Sequence, residues 1–260
     1  RQAVSWGTTM FLTPADPFSP FSPADPFRQY RPGVDVARVR INPTPLSEVD
    51  VVVRATKTPI GEEVTALGRG LITVQNWELS GWGGTLYDDL AGAFAAAGGI
   101  GAFAVRAEVV LRDVAGRGAE IRGTVGVDRM FQVAGRDLYM LAEYQHDGLA
   151  GGSVDEYVGV LLSEPFARGE LQVLGRDETV FQATYQLHPL LGVGGLWLWN
   201  LNDRSALLAP SIMYSASDNA TVTAGIQIGL GNDQVTEERP LPSEYGLAGS
   251  TAFASLSWFF

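Results

Sequence analysis

Few side chains in this sequence are of a type that does chemistry. There is no cysteine, and the only histidines are His146 and His188. The missing thiols exclude disulfides and cysteine-ligated metals, and fit an oxidising compartment. Ser153 and Ser163 are the serines that could stand beside His146, but no Gly-x-Ser-x-Gly and no phosphate-binding loop occurs. The acidic residues Glu62, Glu63, Asp155, Glu156, Asp233, Glu237, Glu238 and Glu244 fall in no Asp-x-Asp-x-Asp-Gly loop, and read as solvated charges rather than calcium ligands. Residue types therefore predict no catalysis, no cofactor and no metal. The formal net charge of -11 argues against nucleic-acid binding through a basic surface.

The more informative chemistry is a set of charges spaced by two. Arg38, Arg40, Asp50 and Arg54 form one group; Arg106, Glu108, Arg112, Glu120 and Arg122 form another. Each charge alternates with an apolar neighbour, so in a strand it shares one face with its fellows. If the connection between the last two stretches centres on Gly116, Arg112 stands opposite Glu120, and Arg122 is diagonal to Glu108. A similar register sets Arg40 opposite Asp50. Opposite charges paired across strands contribute roughly 0.2–1 kcal/mol each. Two readings follow: a charged lumen that selects solutes by field and size, or a structural ion-pair network filling a narrow barrel.

A third feature is residues 13–27, where Thr-Pro-Ala-Asp-Pro-Phe ending at Phe18 is echoed by Ser-Pro-Ala-Asp-Pro-Phe ending at Phe27. Proline at this density excludes a central sheet strand, so the segment reads as a stiff loop. Asp16 and Asp25 are placed to accept backbone N–H groups in Asx turns. With Phe18 and Phe27 they mark an inward-folded constriction, an external docking surface, or a rigid lid.

The elements that must position these groups are strands. Apolar residues recur with period two in residues 49–53, 103–111, 222–230 and 252–260, and no long stretch keeps a helical period. About twelve strands follow, over residues 1–7, 34–42, 48–57, 76–87, 101–112, 120–131, 137–146, 177–187, 193–201, 206–217, 220–231 and 251–260. Many approach the ~9–11 residues that cross a membrane at a tilt, beyond the ~5–6 of soluble strands. Residues 90–105 are uncharged apart from their flanks, but too short and too rich in glycine for a spanning helix. They read as a strand end, a turn at Gly98–Gly99, and the next strand start.

Connections at 43–47, 132–136, 188–192 and 218–219 are short; those at 7–33, 58–75, 147–176 and 232–250 are long. Outer-membrane barrels combine short periplasmic turns with long outer loops, and all the long connections fall on one side. Trp6, Trp77, Tyr87, Tyr144, Tyr185, Trp258 and Phe260 lie near strand ends, where interfacial aromatic girdles form. A soluble β-sandwich or lipocalin-like barrel also alternates, and alternation alone does not separate inside from outside. The chain has no signal peptide and does not begin with methionine, which reads as a processed or trimmed product with room for strands upstream.

The terminal stretch Ala252-Phe253-Ala254-Ser255-Leu256-Ser257-Trp258-Phe259-Phe260 resembles the C-terminal signal of Gram-negative outer-membrane proteins, and the rest of the chain looks generally porin-like. The resemblance implies delivery to the barrel-assembly machinery. Together these readings give an all-β chain, residues 1–260 as one transmembrane antiparallel up-and-down β-barrel in the cell outer membrane, in contact with its lipid. The expected function is a passive channel for small hydrophilic solutes; the alternative is a plugged barrel anchoring an outer-membrane protein assembly. The acidic excess favours cations if those charges line the path.

Overall fold

The computed structural model describes residues 1–18, 22–25, 33–58 and 61–259. Among these residues thirteen strands form one antiparallel sheet in which each pairs with its sequence neighbours, without a crossover. They are β1 (Ala37–Thr44), β2 (Ser47–Thr58), β3 (Gly61–Val74), β4 (Trp77–Leu86), β5 (Asp89–Ile100), β6 (Phe103–Val114) and β7 (Gly118–Val133). After these come β8 (Arg136–Asp147), β9 (Asp177–His188), β10 (Leu191–Asn200), β11 (Ala206–Ser217), β12 (Ala220–Leu230) and β13 (Ser250–Trp258). Among the described residues helix is confined to short pieces, α1 (Tyr157–Leu161), α2 (Glu164–Ala167) and two 3-10 turns. None is long and apolar enough to cross a membrane.

An antiparallel meander places alternate connections at opposite ends. One end carries the two-residue connections at 45–46, 75–76, 101–102, 134–135, 189–190 and 218–219; we call it the short-turn end. The other carries the long connections 148–176 and 231–249 as well as the segment before β1; this is the long-loop end.

Three expected elements are corrected. Residues 1–7 form no strand beyond a single bridge of Gln2 to Val34. Their alternation is satisfied by packing, with Val4 and Trp6 buried against the sheet. Residues 58–75 are not a long loop, because most of them are β3. Gly68 and Gly70 occupy the apolar register of that strand between Ala66 and Ile72, and glycine hides a period-two pattern. Residues 89–100 are one uninterrupted strand, β5, and the turn falls at Gly101 with φ +61. Gly98 is instead the place where the Trp77 ring lies flat on the sheet: a Cβ there would sit 2.4 Å from the ring.

The pleat sorts side chains onto two faces. On one face lie Val49, Val51, Val53, Phe94, Leu111, Val125, Phe181, Trp197, Ile212, Ile226, Leu256 and Trp258, all exposed. The other face carries Asp50, Glu108, Arg112, Arg122, Glu143 and Glu178, all buried. The buried core lies on this polar side, between the sheet and the N-terminal segment near β2–β6, and between the sheet and the long loops near β9–β11. It covers the long-loop half of the face.

Candidate functional site

The N-terminal segment, residues 1–18, lies on the polar face and is held by carboxylates rather than by a ladder. Trp6 donates its indole N–H to Asp50 on β2 (3.1 Å). The backbone N–H groups of Thr8, Thr9 and Ala15 all donate to Glu108 on β6 (2.8, 3.2 and 2.9 Å). Those of Met10, Phe11 and Leu12 donate to Glu143 on β8 (2.6, 2.9 and 3.1 Å). Gln172 closes the arrangement, accepting from Thr13 N–H and donating to the Phe11 carbonyl (both 2.7 Å). A segment rich in proline and without a partner strand would leave buried N–H groups unpaired. Here two buried carboxylates accept six of them, and charge-assisted bonds of this kind are the stronger ones.

The same segment reaches distant strands. Trp82 of β4 donates its indole N–H to the Ala15 carbonyl (2.8 Å), and Gln227 of β12 donates to the Ala24 carbonyl. Phe18 packs edge-on against Trp6 at 5.0 Å. The N-terminal residues thus bridge strands from β2 to β12 across one face of the sheet.

Sequence-predicted charges divide into three groups. Arg38 and Arg40 both pair with Asp50, which is fully buried, and the Arg40–Asp50 register is as expected. Arg40 also meets Glu48, which bonds Arg69 (3.2 Å). Arg54 lies half-buried on the same face, within electrostatic range of Tyr87. Arg112 does stand opposite Glu120, but its ion partners are Asp89 (3.0 Å) and Glu170. Glu120 instead bonds Arg117 of the adjacent turn (3.1 Å). Arg122 is bidentate on Asp147 (2.9 and 2.8 Å) and caps the Glu170 carbonyl. Glu108 pairs with no arginine among the described residues, because the N-terminal segment occupies both its oxygens. Arg106 pairs with Asp128 nearer the short-turn end.

In the proline-rich loop, Asp16 accepts from Ser5 Oγ (2.8 Å) and from Phe18 N–H (3.2 Å), the latter an Asx turn. Asp25 closes a turn through its own N–H onto Ser22. Phe27 lies outside the described residues. His146 bonds Asp177 (2.9 Å) at the long-loop end, whereas His188 ends β9 at the short-turn end.

Long loops complete the seal. Arg168 pairs with Glu63 of β3 and Glu164, and its guanidinium lies 5.0 Å from the Tyr87 ring centroid. Burial pushes the Glu170 carboxyl up, against the opposing pull of Arg112, Arg122 and Arg168. Glu244 accepts from the N–H groups of Leu174 and Gly175 and from Asn200 (2.7, 3.0 and 2.8 Å). Burial raises its carboxyl too, while those donors hold it down. Glu143 and Glu178 were legible as polar members of alternating strands; Glu63 and Glu244, expected as solvated charges, are instead bonded within the fold, and Glu170 and Gln172 lie in loops that carry no pattern.

Among the described residues, none covers the short-turn half of the polar face in this way. Recesses of about 380 and 170 Å³ open there, the first beside Glu78 and Arg106, the second between Tyr139, Thr184 and Gln186 and the exposed Met130 and Met213. The face is thus a polar surface open toward the short turns and sealed toward the long loops. No family model matches this chain, and no curated protein is similar to it. The functional reading therefore rests on this geometry.

Proposed function

We propose that the chain is a transmembrane β-barrel of the outer membrane that passes small hydrophilic solutes, narrowed at its long-loop end by residues 1–18. The observation that carries this reading is the inversion of the faces. Exposed large apolar side chains line one face from Val39 on β1 to Trp258 on β13, while the opposite face buries carboxylates and arginines. Exposed apolar patches beyond a few hundred Å² mark an interaction surface, and one that extends from β1 to β13 suits lipid. The bridging of β2 and β12 by N-terminal residues on one face supports closure of the sheet, and the short turns would then face the periplasm. β13 would present the terminal signal to the barrel-assembly machinery; Phe260 itself lies outside the described residues.

The open short-turn half would serve as a vestibule, and residues 1–18 as the constriction. Glu108 and Glu143 are occupied by backbone N–H groups, so their role would be to hold the constriction, and Glu78, which carries no ion pair among the described residues, would meet the solute and favour cations. A second reading is favoured by the number of strands that grip the segment: a barrel sealed by residues 1–18 that anchors partner proteins in the membrane.

Planar-bilayer recording of the purified protein separates the two. A channel gives a small, steady, cation-preferring conductance that rises when Glu108→Gln and Glu143→Gln are combined to loosen the segment. Silence in both the wild type and that variant would reject the channel in favour of the sealed anchor.

A further inference from the structure

Arg129 is out of place. It lies on the apolar face, since it alternates with Asp128 and shares register parity with Val125 and Val127. The other acidic, basic and imidazole side chains on that face, Lys57, Glu62, Asp113, Arg136, His146 and Asp177, all stand at or next to a strand end. Arg129 is set further in, just past the last β6–β7 pair, Ala104–Asp128. Its guanidinium carbon lies 4.8 Å from the ring centroids of both Phe103 and Phe131. Among the described residues no acceptor meets it, and its Nε is buried without a hydrogen-bond partner. Two aromatic rings hold the cation but offer its N–H fork no oxygen.

From Arg129 a groove of about 620 Å³ runs across β7 to β11, and its lining is almost wholly apolar. Its floor is a single register row: Arg129, Met140, Ala183, Gly195 and Pro210. Small residues in that row leave a trough beside the bulkier row that holds Phe181 and Trp197, whose rings lie 5.5 Å apart. A row of this kind runs perpendicular to the strands. It starts at Arg129, four residues from the short-turn end of β7, and ends at Pro210, seven residues from that of β11. A charge is tolerated near the interface and penalised at mid-depth, which fits Arg129 at the shallow end.

We propose that this groove binds one phospholipid, its phosphate on Arg129 and an acyl chain along Met140, Ala183, Gly195 and Pro210. The proposal rests on the barrel reading, because only then does lipid meet this face. Charge decides the occupant: a planar guanidinium without an acceptor matches a phosphate, and a long apolar trough leading away from it matches a chain. A Cβ at Gly195 would meet its nearest neighbour, Pro210 Cα, at an ordinary 3.7 Å. Gly195→Leu therefore fills the trough without straining the backbone.

The test is native mass spectrometry of the full chain, folded in neutral detergent, with a few equivalents of phosphatidylglycerol or of diacylglycerol with the same chains. Wild type is expected to retain one phosphatidylglycerol. Arg129→Gln and Gly195→Leu should each lower that retention about tenfold with unchanged heat-modifiable migration, and diacylglycerol should bind no better than the Arg129→Gln background. Equal retention by all three proteins overturns the site while leaving the barrel intact. A dimer lost in Gly195→Leu, with lipid retention unchanged, would assign the groove to a second copy and also overturn it. Failure of the wild type to insert into vesicles overturns the barrel reading, and the site with it.

Discussion

The two faces of β2 carry opposite chemistry within one strand. Val49, Val51 and Val53 are 40–47 % exposed, while Asp50 and Val52 between them are fully buried. In a protein folded in water the arrangement would be reversed, because apolar area gains from leaving solvent and an unpaired buried charge is costly. The buried face is tolerable only because its charges are paired: Asp50 with Arg38, Arg40 and Trp6, and Glu108 and Glu143 with backbone N–H groups. The comparison teaches that the polar face is specified residue by residue, whereas the apolar face needs only hydrophobic character. Substitutions on the two faces should therefore fail for different reasons.

The largest effect is expected on the polar face. Asp50→Ala leaves Arg38 and Arg40 without their shared carboxylate, and removing one partner of a buried pair costs about 3–5 kcal/mol. Denaturant unfolding in lipid vesicles should register that loss, together with release of residues 1–7 to proteolysis. A cost below about 1 kcal/mol would mean that water reaches this site.

On the apolar face, Val125→Arg sharpens the comparison. If lipid covers that face at mid-strand, the change costs about 2–4 kcal/mol in vesicles. If water covers it, a surface substitution stays within about 0.5 kcal/mol, so the same unfolding assay separates the two environments.

Glu143→Gln should have a smaller and more local effect. The amide keeps one acceptor oxygen but loses the charge that serves Met10, Phe11 and Leu12, a difference of about 1–2 kcal/mol. Hydrogen exchange should quicken at residues 10–12 while β8 itself stays protected. Unchanged exchange there would show that the segment is held by packing of Trp6 and Phe18 instead.

The smallest effect is a pH dependence at the long-loop end. Burial raises the Glu244 carboxyl in the folded protein, so the folded state holds its proton more tightly than the unfolded chain does. That contribution is fully present below the ordinary carboxylate range and is lost as pH rises through the raised value. Docking of residues 231–249 should therefore loosen as pH rises from about 4 toward neutrality, read as intrinsic-rate-corrected exchange at Leu174 and Gly175. Glu244→Gln should flatten the profile; an unaltered slope in that variant would assign the effect to its hydrogen-bond partner Glu178.

Much of the sheet was legible because alternation survives wherever both registers carry side chains of distinct polarity, as in β6, with Val109 and Leu111 against Glu108 and Arg112. It failed where glycine or alanine fills the apolar register. β3 with Gly68 and Gly70, and β5 with Ala96 and Gly98, keep the period in their backbones but not in their hydrophobicity. Residues 1–7 failed in the opposite sense: Val4 and Trp6 alternate with polar neighbours, yet they pack on a face rather than in a ladder. Among the candidate charges, register was readable, and partnership was readable for Arg40 and Asp50 but not for Arg112 and Glu120. Arg112 stands across from Glu120 but reaches Asp89 on the other neighbouring strand and Glu170 from a loop, a choice set by tertiary packing. The carboxylate grip on the N-terminal segment had no local signal, because its acceptors lie about a hundred residues away in sequence from its donors.

The most direct test of the central claim asks what surrounds each face. The chain contains no cysteine, so single cysteines at Val51, Phe94, Val125 and Ile226 on the apolar face, and at Thr184 and Ser255 on the polar face, can carry spin labels without background. In vesicles, power saturation should show the first four more accessible to oxygen than to a water-soluble nickel chelate, and the last two the reverse. Labels at Val51 and Val125 that meet the nickel chelate as readily as those at Thr184 would place the apolar face in water and contradict the account.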